Sequence, residues 1–201
     1  MIQHYLIKQL FLSFLLLTQL FSKGIYFFDS QGHYPSQQQI TCLKNSGMLD
    51  IALVTTHFQK YYKYYVPEAS VSYIYNTGTI PDLITWTEFL GDLSPDQEAQ
   101  RFINDWNVPI RMYWINIGWV GDGSFKPTCS YLKNLAMSLE KYSGKKVGFI
   151  SNSNAWILLF QSQFACSELG GYPLFAWLEE GNDFIPFGGW ASPNIRFGPR
   201  F

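Results

Sequence analysis

Short apolar runs alternate along this chain with segments whose apolar residues recur at helical spacing. "GIYFFD" is an apolar run ending in an acid. "SQQQITCLKNSG" follows it, with Ser36 and Gln39 spaced as a capping box and Gly47 placed as a helix stop. The β-branched run "DIALVTT" comes next, so the first unit is strand, helix, strand. "SVSYIYN" is predicted as a further strand. In "SPDQEAQRFINDW", Ser94 serves as N-cap, Pro95 opens the helix and Gln97 closes a second capping box. Ala99, Phe102, Ile103 and Trp106 there form one apolar stripe. After the strand "IRMYWINIGWV", Leu132, Leu135, Ala136 and Leu139 repeat the helical spacing and Gly144 ends that helix. The strand "KKVGFIS", a helix "NAWILLFQSQF" capped by Ser153, the strand "YPLFAWL" and a short strand near "NIRFG" complete the series.

Strands apolar on both faces and separated by amphipathic helices require parallel pairing with helices outside, which is an α/β fold. A closed barrel and an open doubly wound sheet both satisfy the pattern. In either, ligands meet the carboxyl ends of the strands, which here are Asp29, His57, Asn76, Asn116 to Trp119, Asn152 and Glu179. Within "YWINIGW", Asn116 and Gly118 stand two residues apart and therefore on one face of the strand.

The opening segment changes the compartment. "MIQHYLIKQLFLSFLLLTQLFSKG" has an early Lys and a short apolar core from Leu10 to Phe21, broken by Ser13, Thr18 and Gln19. That is the pattern of a secretory signal at 1–23, processed near Ser22 to Gly24, and too interrupted for a comfortable membrane span. The remainder, 24–201, shows no repeat or linker and is expected to form one domain, secreted or in an endomembrane or phagosomal lumen. Secretion permits one disulfide among Cys42, Cys129 and Cys166 and leaves an odd thiol, with the pairing open. The scattered His4, His33 and His57 and the absence of a CxxC leave no zinc pattern, and no metal or cofactor is expected. With 14 Lys+Arg against 15 Asp+Glu and no basic run, nucleic acid is not an expected partner, whereas uncharged glycans are.

In the order of its segments the chain resembles the glycoside hydrolase family 25 lysozymes, especially the invertebrate and protist type. "FFDSQ" resembles that family's first strand and "CLKNSG" the helix after it. "WINIG" matches its Trp-(Leu/Ile)-Asp-Ile-Glu strand, and "KKVGFISNSNAW" its Gly-(Val/Ile)-Tyr-Thr-Ser-x-x-x-Trp segment. "PLFAWLEEGNDFIPFGGWASPNIRF" matches its Pro-Leu-Trp strand with the following Gly-Gly-Trp-x-x-Pro-x-Ile. The resemblance covers nearly all of the chain after the signal. It implies an irregular TIM-like (β/α) barrel with some helices short or missing, and cleavage of the β-1,4 bond between N-acetylmuramic acid and N-acetylglucosamine in peptidoglycan.

In active members the Asp-x-Glu strand projects both carboxyls into the groove, and the Glu is the general acid that protonates the glycosidic oxygen. Here Asn116 stands where the Asp would be and Gly118 where the Glu would be, so the resemblance retains only Asp29 of that carboxylate set. An amide hydrogen-bonds an N-acetyl group but cannot ionise, and glycine offers no proton. Loss of a general acid alone removes roughly 10²–10⁴-fold in rate. Further departures are Arg196 and Phe197 in place of a Gln-Tyr pair and an end at Phe201 before the family's closing segment, so the resemblance leaves barrel closure open.

Each of these residues has a plainer reading. Asn116 and Gly118 can be tolerated core positions. Asp29 can cap its own turn. Glu179, a candidate substitute acid, and Glu180, Asp183 and Asp122 can be solvated loop carboxylates. Tyr73, Tyr75, Trp114, Trp119, Trp177 and Trp190 can stack on sugars from strand ends or fill the core, and the tyrosines of "YYKYYVPE" can face a glycan or pack beneath the barrel. The reading that unites these residues is a secreted lysozyme-like protein that binds peptidoglycan or another N-acetylated glycan with impaired catalysis. The alternative is an active muramidase using Asp29 with a displaced acid such as Glu179.

Overall fold

The computed structural model describes residues 24–28, 36–47, 49–55, 68–86, 93–104, 106, 108–118, 126–177 and 183–197. The predicted signal at 1–23 lies outside them. Seven strands run in chain order: β1 (Gly24–Phe28), β2 (Leu49–Thr55), β3 (Asp82–Trp86), β4 (Met112–Ile117), β5 (Lys146–Ser151), β6 (Leu174–Trp177) and β7 (Ile195–Phe197). All pair in parallel and in sequence, β1 through β7, in a single sheet. Helices α1 (Gln37–Asn45), α2 (Glu68–Asn76), α3 (Pro95–Asn104), α4 (Cys129–Ser143) and α5 (Ser153–Phe160) connect the first six strands, with a 3-10 turn at Ser167–Leu169. Among the described residues no helix separates β6 from β7, and the sheet order leaves β7 unpaired with β1. The architecture is the parallel α/β sheet that the alternation of segments predicts, in the irregular barrel-like form that the family resemblance implies.

The helix ends form as their sequences dictate. Ser36 and Gln39 close a reciprocal capping box on α1, with Gln39 N donating to Ser36 Oγ at 3.3 Å and Ser36 N to Gln39 Oε1 at 2.8 Å. Ser94 and Gln97 do the same for α3, at 3.3 and 3.0 Å. Gly144 ends α4 at φ 66, a left-handed position that costs glycine little. One cap shifts by a residue: Asn152, not Ser153, caps α5, its Oδ1 accepting from Ala155 N at 2.7 Å.

One element is corrected. "SVSYIYN" is helical, the body of α2. Val71 and Ile74 are buried three residues apart while Tyr75 and Asn76 are exposed, so the helical period outweighs the apparent alternation. The strand expected there is instead β3, "DLITW", five residues that open on an Asp.

Alternation along the strands separates two cores. Ala52, Val54, Leu83, Tyr113, Ile115, Ile117, Val147, Phe149, Leu174 and Ala176 belong to the large core under the helices. Leu53, Ile84, Trp114, Ile150 and Phe175 form a second cluster on the other, concave face. The rings of Trp114 on β4 and Phe175 on β6 meet edge-on at 6.2 Å across the intervening strand, so the sheet curls around this inner cluster. Gly148 on β5 is the register partner of Trp114. A Cβ there would lie 2.5 Å from the Trp114 ring.

Beyond β5 the chain is stapled. Cys129 at the start of α4 is bonded to Cys166, across 37 residues, and Cys42 is free and exposed. In the chain-entropy account such a loop contributes about 4 kcal/mol. The disulfide borders an aromatic cluster of Trp156, Phe160, Phe187 and Trp190, with Phe149 packed on Trp190. Trp190 Nε1 donates to Tyr172 O at 2.7 Å. The turn into Trp190 needs glycine at Gly189, at φ 84, where a Cβ would stand 2.3 Å from Ser167 O.

Between α3 and α4, Ser138 Oγ donates to Asp96 Oδ1, and this bond holds the Asp96 carboxyl below its usual range. Burial, reinforced by the nearby Glu98 carboxylate and opposed by Arg101, pushes the Tyr131 phenol up to about 12 from 10.0. Burial raises Tyr113 and Tyr172 in the same direction.

Two outcomes follow from this packing. Gly148→Ala should lower unfolding free energy by about 1–3 kcal/mol in urea titrations, because the buried Trp114 ring cannot yield. A phenol whose folded pKa is raised gives stability that is complete below its unfolded pKa and lost as pH climbs through the folded one. The urea midpoint should therefore fall between pH 10 and 12, and Tyr131→Phe should make that fall shallower.

Candidate functional site

The carboxyl ends of the strands carry the candidate site, and strand register sets its levels. Asn116 on β4 is aligned with Trp86 on β3 and Ile150 on β5, and Ile150 is aligned with Phe175 on β6. One pleat further on, Gly118 stands just past the end of β4 and Trp177 at the end of β6. Two strand spacings separate these strands, about 10 Å.

Asn116 alternates with the inward Trp114 and between the outward Ile115 and Ile117, so its side chain lies on the concave face. It is 1% exposed. The amide therefore lies on the concave face and is enclosed there. Gly118 is half-buried and Trp177 is 37% exposed, so these two are the first described groups that a ligand entering from the strand ends would meet. Ser151 Oγ donates to Ile117 O at 2.8 Å and ties the tops of β4 and β5 beneath them.

The lower concave face is filled by a polar latch that sequence reasoning missed. Asp82, with no exposure, accepts from Arg111 Nε at 2.7 Å and Nη2 at 2.8 Å, and from Trp114 Nε1 at 2.9 Å. Asp82 opens β3 and Arg111 immediately precedes β4, so the pair lies at the amino ends of the strands. Asp82 is four residues from the carboxyl end of β3, about 13 Å. It cannot deliver a proton at the groove. The signal that could have revealed it is the pairing of "PDLITW" with "IRMYW", two strand starts carrying opposite charges.

The other predicted residues divide clearly. Asp29, His57, Trp119, Asp122, Glu179 and Glu180 lie outside the described residues. Tyr73 and Tyr75 do not end a strand. They lie on α2, Tyr73 half-buried against the helix-side core and Tyr75 40% exposed, and the helix delivers Asn76 toward the amino end of β3. Trp114 and Trp190, 2% and 3% exposed, are core rings whose N–H groups are already used. Asp183 is exposed, and Asn152 caps α5. Among the described residues no three His, Cys, Asp or Glu side chains gather to hold a metal ion.

No protein-family model and no curated protein matches the sequence. Solved structures do match. The bacterial lysozyme from Streptomyces coelicolor superposes with a TM-score of 0.68 at 12% identity, over 87% of this chain and 83% of that one. A family GH25 lysozyme from Aspergillus fumigatus gives 0.63 at 13% identity, over 86% and 85%. A muramidase from Trichobolus zukalii gives 0.60 at 12%, over 78% and 79%. At these identities the likeness is one of fold: the chain has the irregular β/α-barrel fold of GH25 lysozymes.

The latch makes its own prediction. Arg111→Met leaves the Asp82 charge buried beside a lone indole donor and should cost about 2–4 kcal/mol, at or below the range for a fully enclosed pair because Arg111 is itself 45% exposed. Adding Asp82→Asn removes the charge but keeps an acceptor for Trp114. The double variant should recover most of the loss in urea unfolding.

Proposed function

We propose, from the fold shared with GH25 lysozymes, that this protein is a secreted lysozyme-like glycan binder. It takes peptidoglycan or another N-acetylated glycan at the carboxyl ends of its strands and hydrolyses it weakly or not at all. The observation that carries the reading is the composition of β4 at the groove: an amide on the concave face, a glycine one pleat beyond, and no carboxylate from Met112 to Gly118.

Hydrolysis of a glycosidic bond needs an acid to protonate the departing oxygen and a second group to stabilise or attack the anomeric carbon. Asn116 cannot ionise and Gly118 has nothing to donate. The buried carboxylate on the described concave face, Asp82, is engaged by Arg111 at the wrong end of the strands. Binding needs less. Trp177, 37% exposed, offers a ring to the apolar side of a pyranose, and Gly118 places no side chain where a Glu would stand. Secretion rests on the 1–23 signal pattern, and the Cys129–Cys166 bond supports an oxidising compartment.

The test pairs two assays. Turbidity of a bacterial cell-wall suspension should stay within background, while insoluble peptidoglycan should pull the protein down and Trp177→Ala should weaken that capture about tenfold. Clearing of the suspension that Asp29→Asn abolishes would instead establish the active muramidase, with Glu179 the first acid to replace. Installing Asn116→Asp with Gly118→Glu should raise clearing above the wild-type level if the groove is otherwise intact.

A further inference from the structure

A second surface lies away from the groove. Ile157 and Leu158 on the outer side of α5 are 41% and 79% exposed, whereas Trp156 and Leu159 of the same helix are buried. Phe164, in the turn after the helix, is 76% exposed and Ile185 51%. The turn and the later segment are joined, Gln163 Nε2 donating to Pro186 O at 2.6 Å and Gly188 N to Gln163 O at 2.9 Å. Phe164 and Ile185 therefore flank one contact. Charge borders these segments and is balanced: no Asp, Glu, Lys, Arg or His occurs from Val147 to Ser167 or from Phe184 to Ile195, and the exposed charged residues that flank them are two bases, Lys145 and Lys146, and two acids, Glu168 and Asp183.

Topology fixes which end this is. Asn152 caps α5 at the carboxyl end of β5, and the helix returns antiparallel to the strand. Its last turn and Phe164 therefore lie toward the amino ends of the strands, opposite Gly118 and Trp177.

We propose that this face docks peripherally on an electrically neutral, zwitterionic phospholipid bilayer, independently of the glycan reading. Leu, Ile and Phe side chains that stand this far out insert into the boundary between headgroups and acyl chains. Lys145 and Lys146 beside it are offset by Glu168 and Asp183, so the patch carries no net charge to hold anionic headgroups or an acidic protein. Its four side chains supply roughly half of the ~800 Å² per partner that a stable protein interface buries, too little for a lasting dimer, whereas a bilayer requires no complementary surface. The contact is superficial, since no helix among the described residues is long and apolar enough to cross a membrane. Seated this way, the protein turns its groove outward.

The full chain is tested by sedimentation with vesicles of pure phosphatidylcholine. Leu158→Ser with Phe164→Ser should reduce partitioning about tenfold or more, and wild-type binding should be unchanged between about 0.1 M and about 0.5 M salt. Both proteins carry the same N-terminal segment, so the difference reports the patch. Near-UV circular dichroism checks that the two serines leave the fold intact. In a separate Leu158→Trp variant, tryptophan emission should shift to the blue on adding vesicles. Equal partitioning of wild type and double variant, no binding by wild type, loss of binding at high salt, or an unshifted Leu158→Trp spectrum would each overturn the proposal. A micromolar wild-type dimer that the two serines dissociate would assign the face to a second copy of the chain.

Discussion

A carboxylate with no exposure, Asp82, sits inside the curl of the sheet and dictates what its neighbours can be. Desolvating a lone carboxylate costs several kcal/mol even after relaxation, so the residue preceding β4 must bring a cation, and Arg111 does so with two hydrogen bonds. The remaining acceptor capacity takes the Trp114 indole N–H, which would otherwise be a buried unpaired donor costing about 1–3 kcal/mol. Fixing the indole fixes the plane of its ring, and that plane occupies the space a side chain at Gly148 would need. One charge thus couples the start of β3, the approach to β4 and the middle of β5.

The same coupling decides where a ligand can go. Among the described residues Asp82, Trp114, Ile150 and Phe175 pack the concave face, which leaves the carboxyl-end rim to meet a ligand. Gly118 and Trp177 stand on that rim, while the tryptophans that sequence alone offered as sugar platforms are divided by depth: Trp114 and Trp190 are 2% and 3% exposed, and Trp177 is 37% exposed. Aromatic content by itself does not distinguish these roles, because a ring that fills a core and a ring that stacks on a sugar are the same residue type in different exposure.

What was legible in the sequence is what local chemistry writes. The two Ser-x-x-Gln boxes, the Gly144 stop and the apolar stripe of α4 each specify their own geometry within a few residues and form as expected, while the stripe of α3 holds through Ile103 and the helix ends at Asn104, before Trp106. The parallel arrangement followed from strands apolar on both faces. What was hidden depends on distant partners. "SVSYIYN" satisfies both periods over seven residues, and burial of Val71 and Ile74 against the helix-side core selects the helix. β3 was missed because an Asp at a strand start looks like a loop until Arg111, 29 residues later, is known to neutralise it. The Cys129–Cys166 pairing was open for the same reason: three cysteines permit three bonds, and only the fold brings two of them to a Cα separation of 5.0 Å.

The enclosure of Asn116 bears on what an amide in place of an acid does to the packing of such a site. Two carboxyls at alternate positions of one strand share a face, repel each other and demand water or partners, so a strand that carries them cannot let its groove layer close. An amide and a glycine impose no such demand. With Asn116 at 1% exposure between Trp114 below and the rim above, the apolar layer of Ile150 and Phe175 extends upward around a neutral group. On the proposed reading, replacing the acids does more than remove a proton donor. It exchanges two charges that demand hydration for a neutral amide that can be enclosed, and among the described residues the rim above it offers the backbone of Gly118 and the 37% exposed ring of Trp177 to a glycan chain.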